Sequence, residues 1–521
     1  MKLFFDPIKM QENEPELDKC VAADLRLDDI LHGLISDKEM ETAAKKVLMQ
    51  FCRDESIIDY RQQIVYDLIG NDGVFRLFSD LRDGLVQLNE LYQMNMFRQI
   101  PETRALKTFL ITEKFTRIYS RLLAEAEDTD TSELSPAFSQ IITDIRDAGR
   151  KAELGRMEKD VIAMREGLKK LESVRFNRFF SRGQNIENSI MPATEEPSLT
   201  KHISDLAAGL GLDVNEANVC ALQVSRELTR PVFLALHEEY KDVFDGIERF
   251  HSEYEKTFDG EWLDLIPKLS AVIAFALIFR KLKASGFPVT KGKTAVNTEI
   301  EGLYSLALAS KGATPGQVVC NDLNTTPDRK FFFIMGPNAG GKTVFLSALA
   351  MCRLMFQGCG IVPAKSAKIR IVRRLFTHFP VEEYNDESGR LVEEQNRVDK
   401  IFAAVGNGDC AAFFNETYSS TKADVAYRLS TELCENVRKH DVEGLFVTHL
   451  HSLKDYATST EQQAPHIGIL TAAKDGRTGQ RTYRIVPMTS QNSSFAEDIL
   501  EKYGMTAAQM FQRLKLKKEG R

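Results

Sequence analysis

No stretch of this chain is apolar for long enough to cross a bilayer: the longest such run, Leu269 to Phe279, is about half of the ~20 residues that a spanning helix needs. Positive charge is not in surplus either. Lys plus Arg number 68 against 75 Asp plus Glu, a formal net charge of −7. A globally basic nucleic-acid coat is thereby excluded, and any DNA contact must come from a local patch on an acidic body, with strong salt sensitivity. The eight cysteines are scattered, with no Cys-x-x-Cys and no paired Cys/His spacing, so reduced, mostly buried thiols are expected rather than a disulfide framework. Met1-Lys2-Leu3-Phe4-Phe5-Asp6 turns polar too soon for a signal-peptide core, which predicts a cytoplasmic protein without a membrane partner. No repeat period or low-complexity tract stands out. What remains is an ordinary soluble composition, 43% hydrophobic and 27% charged over 521 residues, enough for three or four domains at roughly 150 residues each.

From Leu25 to about Leu110 apolar residues recur at three and four, as in Leu81, Leu85, Leu88 and Leu91, which predicts packed amphipathic helices. Two later stretches are sharper. Leu154, Met157, Val161, Met164, Leu168 and Leu171 form one narrow seam, and Phe233, Leu236, Tyr240, Val243, Ile247, Phe250 and Tyr254 form another; such seams belong to helices that lie against each other, here as an antiparallel arm. Turn-forming residues after Ser181 make about 181–230 the tip of that arm. The first arm helix is expected to lead into it through Arg175-Phe176-Asn177-Arg178-Phe179-Phe180-Ser181-Arg182, whose interleaved Arg and Phe suit phosphate contact or base stacking. Arg175, Arg178 and Arg182 are the candidate DNA-contacting residues; buried Phe and a solvated Arg face is the equal alternative.

After Pro288 strand-like runs, Phe331–Met335, Ala411–Phe414 and Leu445–Thr448, alternate with helical segments, including Val344–Phe356 and Ala423–Lys439. That alternation predicts an α/β domain with a buried, mostly parallel sheet beginning near Lys291 to Thr298. Its first strand runs into Gly336-Pro337-Asn338-Ala339-Gly340-Gly341-Lys342-Thr343, which satisfies G-x-x-x-x-G-K-[ST] between a strand and a helix. Glycines let backbone N–H groups curl around phosphate oxygens, the helix start adds its positive dipole end, Lys342 neutralises phosphate charge and Thr343 offers a hydroxyl to Mg²⁺. Gly336 through Thr343, with Val344, form the expected nucleotide cradle, and ATP with Mg²⁺ is the expected cofactor pair.

Such a loop needs a second strand ending in acid. Ala411-Ala412-Phe413-Phe414-Asn415-Glu416 supplies Glu416 to activate water, while Asn415 stands on the Mg²⁺ side where Asp is expected. An amide accepts a hydrogen bond but carries no charge. Forfeiting a charge-assisted interaction of ~1.5–3 kcal/mol costs on the order of ten- to a hundredfold in turnover or metal affinity. Slow hydrolysis is expected. Leu445-Phe446-Val447-Thr448-His449 ends a third strand with a histidine placed to sense the γ-phosphate, with His451 as the near alternative.

G-P-N-x-G-G-K-T, then a hydrophobic strand ending in acid before a Ser/Thr-rich turn, then T-H after another strand, resembles the MutS family of DNA mismatch repair ATPases, most specifically over Val318 to Tyr456. Asn321-Asp322 resembles the family's nucleotide-side loop, and Glu416-Thr417-Tyr418-Ser419-Ser420-Thr421 the turn after its acidic strand, without the usual glycines. The resemblance implies a multi-domain chain: a helical core over 1–145, a coiled-coil-like lever arm over 146–260 with its short clamp-like tip, a helical return over 261–290, and a C-terminal α/β P-loop ATPase domain of the ABC type over 291–521 with a helical tail. It further implies a homodimer whose ATPase domains complete each other's sites and whose nucleotide state moves a clamp on duplex, mismatched or branched DNA.

Departures from the family are expected to matter. The expectation is a chain without the mismatch-reading domain and its wedge, with Phe495-Ala496-Glu497 structural, and without a nuclease-like extension, so that no strand cleavage is expected. Within Ser388-Gly389-Arg390-Leu391-Val392-Glu393-Glu394, Leu391 and Val392 fall where Ser-Thr usually serves the partner's site, with Ser388 or Arg390 as replacements. Two readings result: an ATP-dependent DNA-binding protein acting in mismatch repair or recombination, or an ATP-binding scaffold that has lost DNA binding and most hydrolysis. A small-molecule kinase fits poorly, because no Arg-rich lid follows the loop.

Overall fold

The apolar residues spaced at three and four in the N-terminal half build helices α1 (Lys19–Asp24), α2 (Leu27–Leu34), α3 (Lys38–Gln50), α4 (Glu55–Gly70), α5 (Asp72–Gln93), α6 (Pro101–Asp128), α7 (Pro136–Ile145) and α8 (Ala148–Glu172). Their starts are chemically marked. The Asp37 carboxylate accepts from the N–H groups of Glu39 and Met40 at 2.9 and 3.0 Å ahead of α3, and Ser135 with Pro136 opens α7, both satisfying amides that a helix start leaves free. The computed structural model describes residues 16–93, 101–172, 174–180, 186–192, 237–255, 261–380, 387–405, 409–461, 466–475, 478 and 480–488.

Residues 71–269 form one compact unit, and residues 8–70 join 270–521 in a second. This division differs from cuts near 145 and 290. The helix Lys342–Cys359 is apolar on nearly every side, with Phe345, Leu346, Leu349, Met351, Leu354, Met355 and Phe356 all buried. A sheet covers only one face of a helix, so the other needs a partner, and α3 and α4 provide it. Gln357 Nε2 donates to the Cys52 carbonyl at 2.8 Å, Arg61 to the Gly358 carbonyl at 3.1 Å, and Gln62 to the Gly360 carbonyl at 2.7 Å.

In the first unit α8 lies antiparallel to the helix Lys241–Tyr254. Lys170 meets Asp242 at 3.0 Å, while at the other end Tyr254 Oη donates to Asp160 at 2.5 Å. Leu154, Met157, Val161 and Met164 are buried on one side, and Val243, Ile247, Phe250 and Tyr254 on the other. The seam is not exclusive to the pair. Helix α6 also enters it, through an edge-on Phe109–Phe250 contact at 5.7 Å between ring centroids and a hydrogen bond between Thr108 and His251 Nδ1 at 2.8 Å. The segment expected to prolong the arm helix is instead a hairpin of β1 (Val174–Phe180) with β2 (Ile186–Pro192), pairing Arg175 with Met191 and Arg178 with Asn188. Val174 and the three Phe residues of this segment favour extended backbone over helix. Arg182 and the rest of the expected tip, apart from β2, lie outside the described residues, as do the expected tail helices.

In the second unit the strands are β3 (Thr290–Lys291), β4 (Lys293–Thr294), β5 (Glu299–Leu303), β6 (Asn321–Asn324), β7 (Phe331–Met335), β8 (Ile361–Val362), β9 (Ser366–Ile369), β10 (Arg374–His378), β11 (Cys410–Asn415), β12 (Glu443–Val447), β13 (Ile467–Lys474) and β14 (Arg481–Pro487). Six form the main sheet in the order β10-β11-β12-β7-β13-β14, parallel except where β14 pairs antiparallel with β13. The central strands β7, β11 and β12 are buried at every position, as a parallel sheet covered on both faces requires. A smaller sheet, β4-β9-β5-β6, is tied in by Arg353 of the helix after β7, which pairs with Glu443 of β12 and donates to Thr298 Oγ1 at 2.9 Å. The run Leu269–Phe279 lies buried within the helix Leu265–Ala284, and no helix among the described residues is long and apolar enough to cross a membrane. Of the seven described cysteines, Cys52, Cys352, Cys359, Cys410 and Cys434 are buried thiols; burial pushes Cys352, Cys359 and Cys410 up to about 12.

Candidate functional site

Sheet register sets the stage for the site. Asn415 aligns with Val447, and Val447 with Ile334, so three neighbouring strands end in one row and their following loops share a crevice at the carboxyl edge of the sheet. From β7 the chain enters the glycine-rich loop. Gly336 has φ +120°, a conformation only glycine adopts freely. A side chain at Gly340 would bring its Cβ to 2.8 Å from Ala472 Cβ on β13, so the loop clears the sheet only without one.

Lys342 opens the following helix and is buried, its Nζ donating to the carbonyls of Gly336 at 2.8 Å and Pro337 at 3.0 Å. Burial lowers its affinity for a proton, and the Glu416 carboxylate opposes that. The loop thus encloses an ammonium group at the mouth of a helix whose first N–H groups and dipole favour an anion. Thr343 Oγ1 donates to Asn415 Oδ1 at 2.9 Å. These side chains offer two hard oxygen donors, the ligand type that Mg²⁺ takes alongside substrate phosphates. Among the described residues no group of three or more His, Cys, Asp or Glu side chains converges as a metal cage; the donors fit a cation only with oxygens from a bound nucleotide or water.

Glu416 follows directly, its N–H donating to the Val447 carbonyl at 2.8 Å. Its Oε1 lies 3.0 Å from His449 Nε2, with the side chains 35% and 37% exposed, so the pair is open to solvent and to a ligand. His451, the alternative histidine, is exposed and carries no contact to Glu416 among those described. The structure therefore gathers Lys342, Thr343, Asn415, Glu416 and His449 around one loop, while Arg175 and Arg178 belong to the hairpin of the other unit.

Sequence reasoning missed the support behind Glu416. Glu416 and Tyr418 have φ of +52° and +65°, so this turn keeps a glycine-like backbone without glycine, at about 1–3 kcal/mol per residue. Buried bonds hold it there. Tyr418 N–H donates to Glu394 Oε2 at 3.1 Å, Tyr418 Oη to Gln395 Oε1 at 2.8 Å, and Thr417 Oγ1 shares a hydrogen bond with His378 Nδ1 at 2.9 Å. Burial, aided by the Arg397 charge, pushes His378 down to about 4. Arg397 in turn pairs with Asp24, which also accepts from Thr377 Oγ1 at 2.7 Å. On the same helix, Glu387–Val405, Leu391 packs into the core of the sheet and Val392 is 59% exposed; the side chains of Ser388 and Arg390 lie outside the description. The missing glycines were the available signal that something else must hold the turn.

Asn321 and Asp322 have structural partners. Asn321 Oδ1 accepts from Ile485 N–H at 2.7 Å and its Nδ2 donates to the Tyr483 carbonyl at 3.2 Å, while Asp322 accepts from Gly302 N–H at 2.7 Å.

Comparison with known proteins agrees on where the specific signal lies. The family profile MutS domain V matches residues 332–512, a span that starts in β7 and contains the loop, Asn415, Glu416 and His449. An Endonuclease MutS2 of Streptococcus mutans is 24% identical over 242 residues, covering 46% of this chain and 30% of that protein. Proteins of the same description from Streptococcus thermophilus and Streptococcus agalactiae are 26% and 28% identical over 190 and 145 residues, covering 36% and 27% of this chain. The chain therefore matches less than a third of the length of these relatives, 30%, 23% and 18% respectively. The domain V match falls on the strands and loops that build this crevice, and it is there that the chain is similar to the MutS family.

Proposed function

We propose that the chain is an ATP-dependent DNA-binding protein of the MutS type, a homodimeric clamp on duplex, mismatched or branched DNA that acts in mismatch repair or recombination in the cytoplasm. The observation that carries the nucleotide half is the meeting of Lys342, Thr343, Asn415 and the Glu416–His449 pair at one sheet edge. In this reading loop N–H groups and Lys342 hold the triphosphate, and Thr343 and Asn415 hold Mg²⁺, which supplies charge neutralisation when bound. Glu416 accepts a proton from the attacking water. His449, hydrogen-bonded to Glu416, orients that carboxylate and meets the γ-phosphate, so that its contacts differ between triphosphate and diphosphate states; only such a difference lets nucleotide bias a conformation.

The DNA half rests on the likeness to the MutS family and on Arg175, Arg178 and Arg182. The relatives are described as endonucleases, and matches covering 18–30% of their lengths carry no cleavage to this chain. A nucleotide-binding scaffold with little hydrolysis is the second reading, favoured by Asn415 at the metal side and by Leu391 in the core. The deciding experiment pairs ATP turnover with gel shifts on homoduplex, mismatched and four-way-junction DNA, for wild type, Lys342→Ala and Glu416→Ala. Turnover lost in both variants, with nucleotide-dependent shifts in wild type, supports the clamp. Nucleotide binding without any shift supports the scaffold.

A further inference from the structure

The nucleotide crevice lies where β7, β11 and β12 end. Where β10 and β11 begin, at the other end of the same sheet, the chain gathers arginine instead. The connection into β10 reads Arg370-Ile371-Val372-Arg373-Arg374, and Arg374 is in register with Cys410, the first residue of β11. A fourth arginine arrives from the turn between α3 and α4. Buried Gln357 brings it there: its Nε2 donates to the carbonyls of Cys52 at 2.8 Å and Val372 at 2.9 Å, and its Oε1 accepts from Val372 N–H at 3.2 Å. Arg53 and Arg373 each follow one of those residues, so a single buried side chain sets them beside each other. Positive charge outnumbers negative here. Arg370 and Arg373 share Asp409, at 3.2 and 3.6 Å, while Glu443, which Arg370 also faces, is paired with buried Arg353. Asp54, next to Arg53, turns to the start of α4 and accepts from Ser56 N–H at 2.8 Å. Arg374 donates to the Ala404 carbonyl at 2.8 Å, a partner without net charge. Burial, with the charges of Arg373 and Arg374, lowers the affinity of Arg53 for its proton, and Asp409 opposes that. The cluster is open to solvent: the Arg373 side chain is 69% exposed, and Arg374 is exposed beside it.

We infer that Arg53, Arg373 and Arg374, backed by Arg370, form a second contact for the phosphate backbone of duplex DNA, on the unit that carries the nucleotide crevice. The inference rests on the DNA half of the reading above and extends it from the hairpin to a second surface. A chain of net charge −7 repels a polyanion over most of its surface, so DNA can approach only where cations are locally in excess. Guanidinium forks match phosphate oxygens in geometry as well as charge. Crowding like charges costs free energy that anions relieve, and a duplex supplies many at once, one per about 1.7 Å of its axis. Contacts of this kind position DNA without reading its sequence.

The test measures binding of a fluorescent homoduplex by anisotropy between about 50 and 200 mM salt, the range over which phosphate contacts show most clearly. It compares the full-length chain as wild type with two triple variants, in which Arg53, Arg373 and Arg374 are all replaced by Gln or all by Lys. Arg373→Gln alone, at the 69% exposed position, keeps the test open should the triple Gln variant melt early. The triple Gln variant should bind more weakly, with a plot of log affinity against log salt shallower by about two to three, and Arg373→Gln shallower by about one. The triple Lys variant keeps the charge and should keep most of the slope. The patch is refuted if the Gln variants retain the wild-type slope, or if Gln and Lys weaken binding equally, since the loss would then come from packing and not from charge. A wild-type chain that binds no duplex overturns the DNA half of the proposed function, and this inference with it.

Discussion

Placing a carboxylate at position 415 tests the proposed metal side of the site directly. Asn415 is 8% exposed and its Oδ1 accepts from Thr343 Oγ1 at 2.9 Å, so Asn415→Asp keeps the acceptor and the shape and adds one charge. Hydrogen bonds to charged groups contribute about 1.5–3 kcal/mol where neutral ones contribute about 0.5–1.5. The gain is therefore roughly 1–1.5 kcal/mol, on the order of tenfold in Mg²⁺ affinity or turnover. The gain depends on the cation. Without it, the variant buries a carboxylate, whose desolvation offsets the stronger bond, so the apo protein should melt at the same temperature or lower. With Mg²⁺ and ATP it should melt higher than wild type under the same conditions. A magnesium titration of steady-state ATP turnover reads both numbers, with Glu416→Ala as the inactive reference. Turnover and half-saturating Mg²⁺ both within twofold of wild type would show that position 415 does not face the metal and that the acidic strand has been misassigned.

Three further expectations follow from the same geometry. Replacing Glu394 by Ala strands the buried Tyr418 N–H at about 1–3 kcal/mol and releases the strained turn, so stability and kcat should fall together while KM for ATP holds. Glu394→Gln, which keeps an acceptor, should rescue both, and a Glu394→Ala protein with wild-type turnover would refute the supporting role. His378 is held at about 4 against an ordinary 6.5: between those values the unfolded chain binds a proton that the folded one refuses, so stability falls as pH drops from 6.5 to 4, by up to roughly 3 kcal/mol. Urea melts at pH 7 and 4.5 should show a smaller difference in His378→Gln, and an undiminished difference would mean that other groups carry it. Truncating Arg175, Arg178 and Arg182 together should weaken DNA binding evenly across sequences and flatten its dependence on salt; an unaltered salt slope would remove the hairpin from the DNA interface.

The glycine-rich loop, the acidic strand and the Thr448-His449 pair were legible because each is short-range chemistry: a loop that needs glycine at Gly336 and Gly340, and apolar runs long enough only for buried strands. The seam positions Met157, Val161, Ile247 and Phe250 were legible for a similar reason, since helical spacing writes a buried face into the order of residues. Periodicity says which face is buried and not against what. That α3 and α4 cover the helix Lys342–Cys359, that α6 enters the seam, and that residues 174–192 pair as a hairpin were decided by contacts between distant segments, such as Arg61 with Gly358, for which no local pattern codes. The same holds at the site. Composition and order determined that a glycine-rich loop, an amide, a carboxylate and a histidine are present. Only the sheet register, which sets Asn415, Val447 and Ile334 in one row, put them at one edge, and only the buried bonds behind Glu416 determined how the turn at that edge is held, because those depend on packing energies summed over the whole fold.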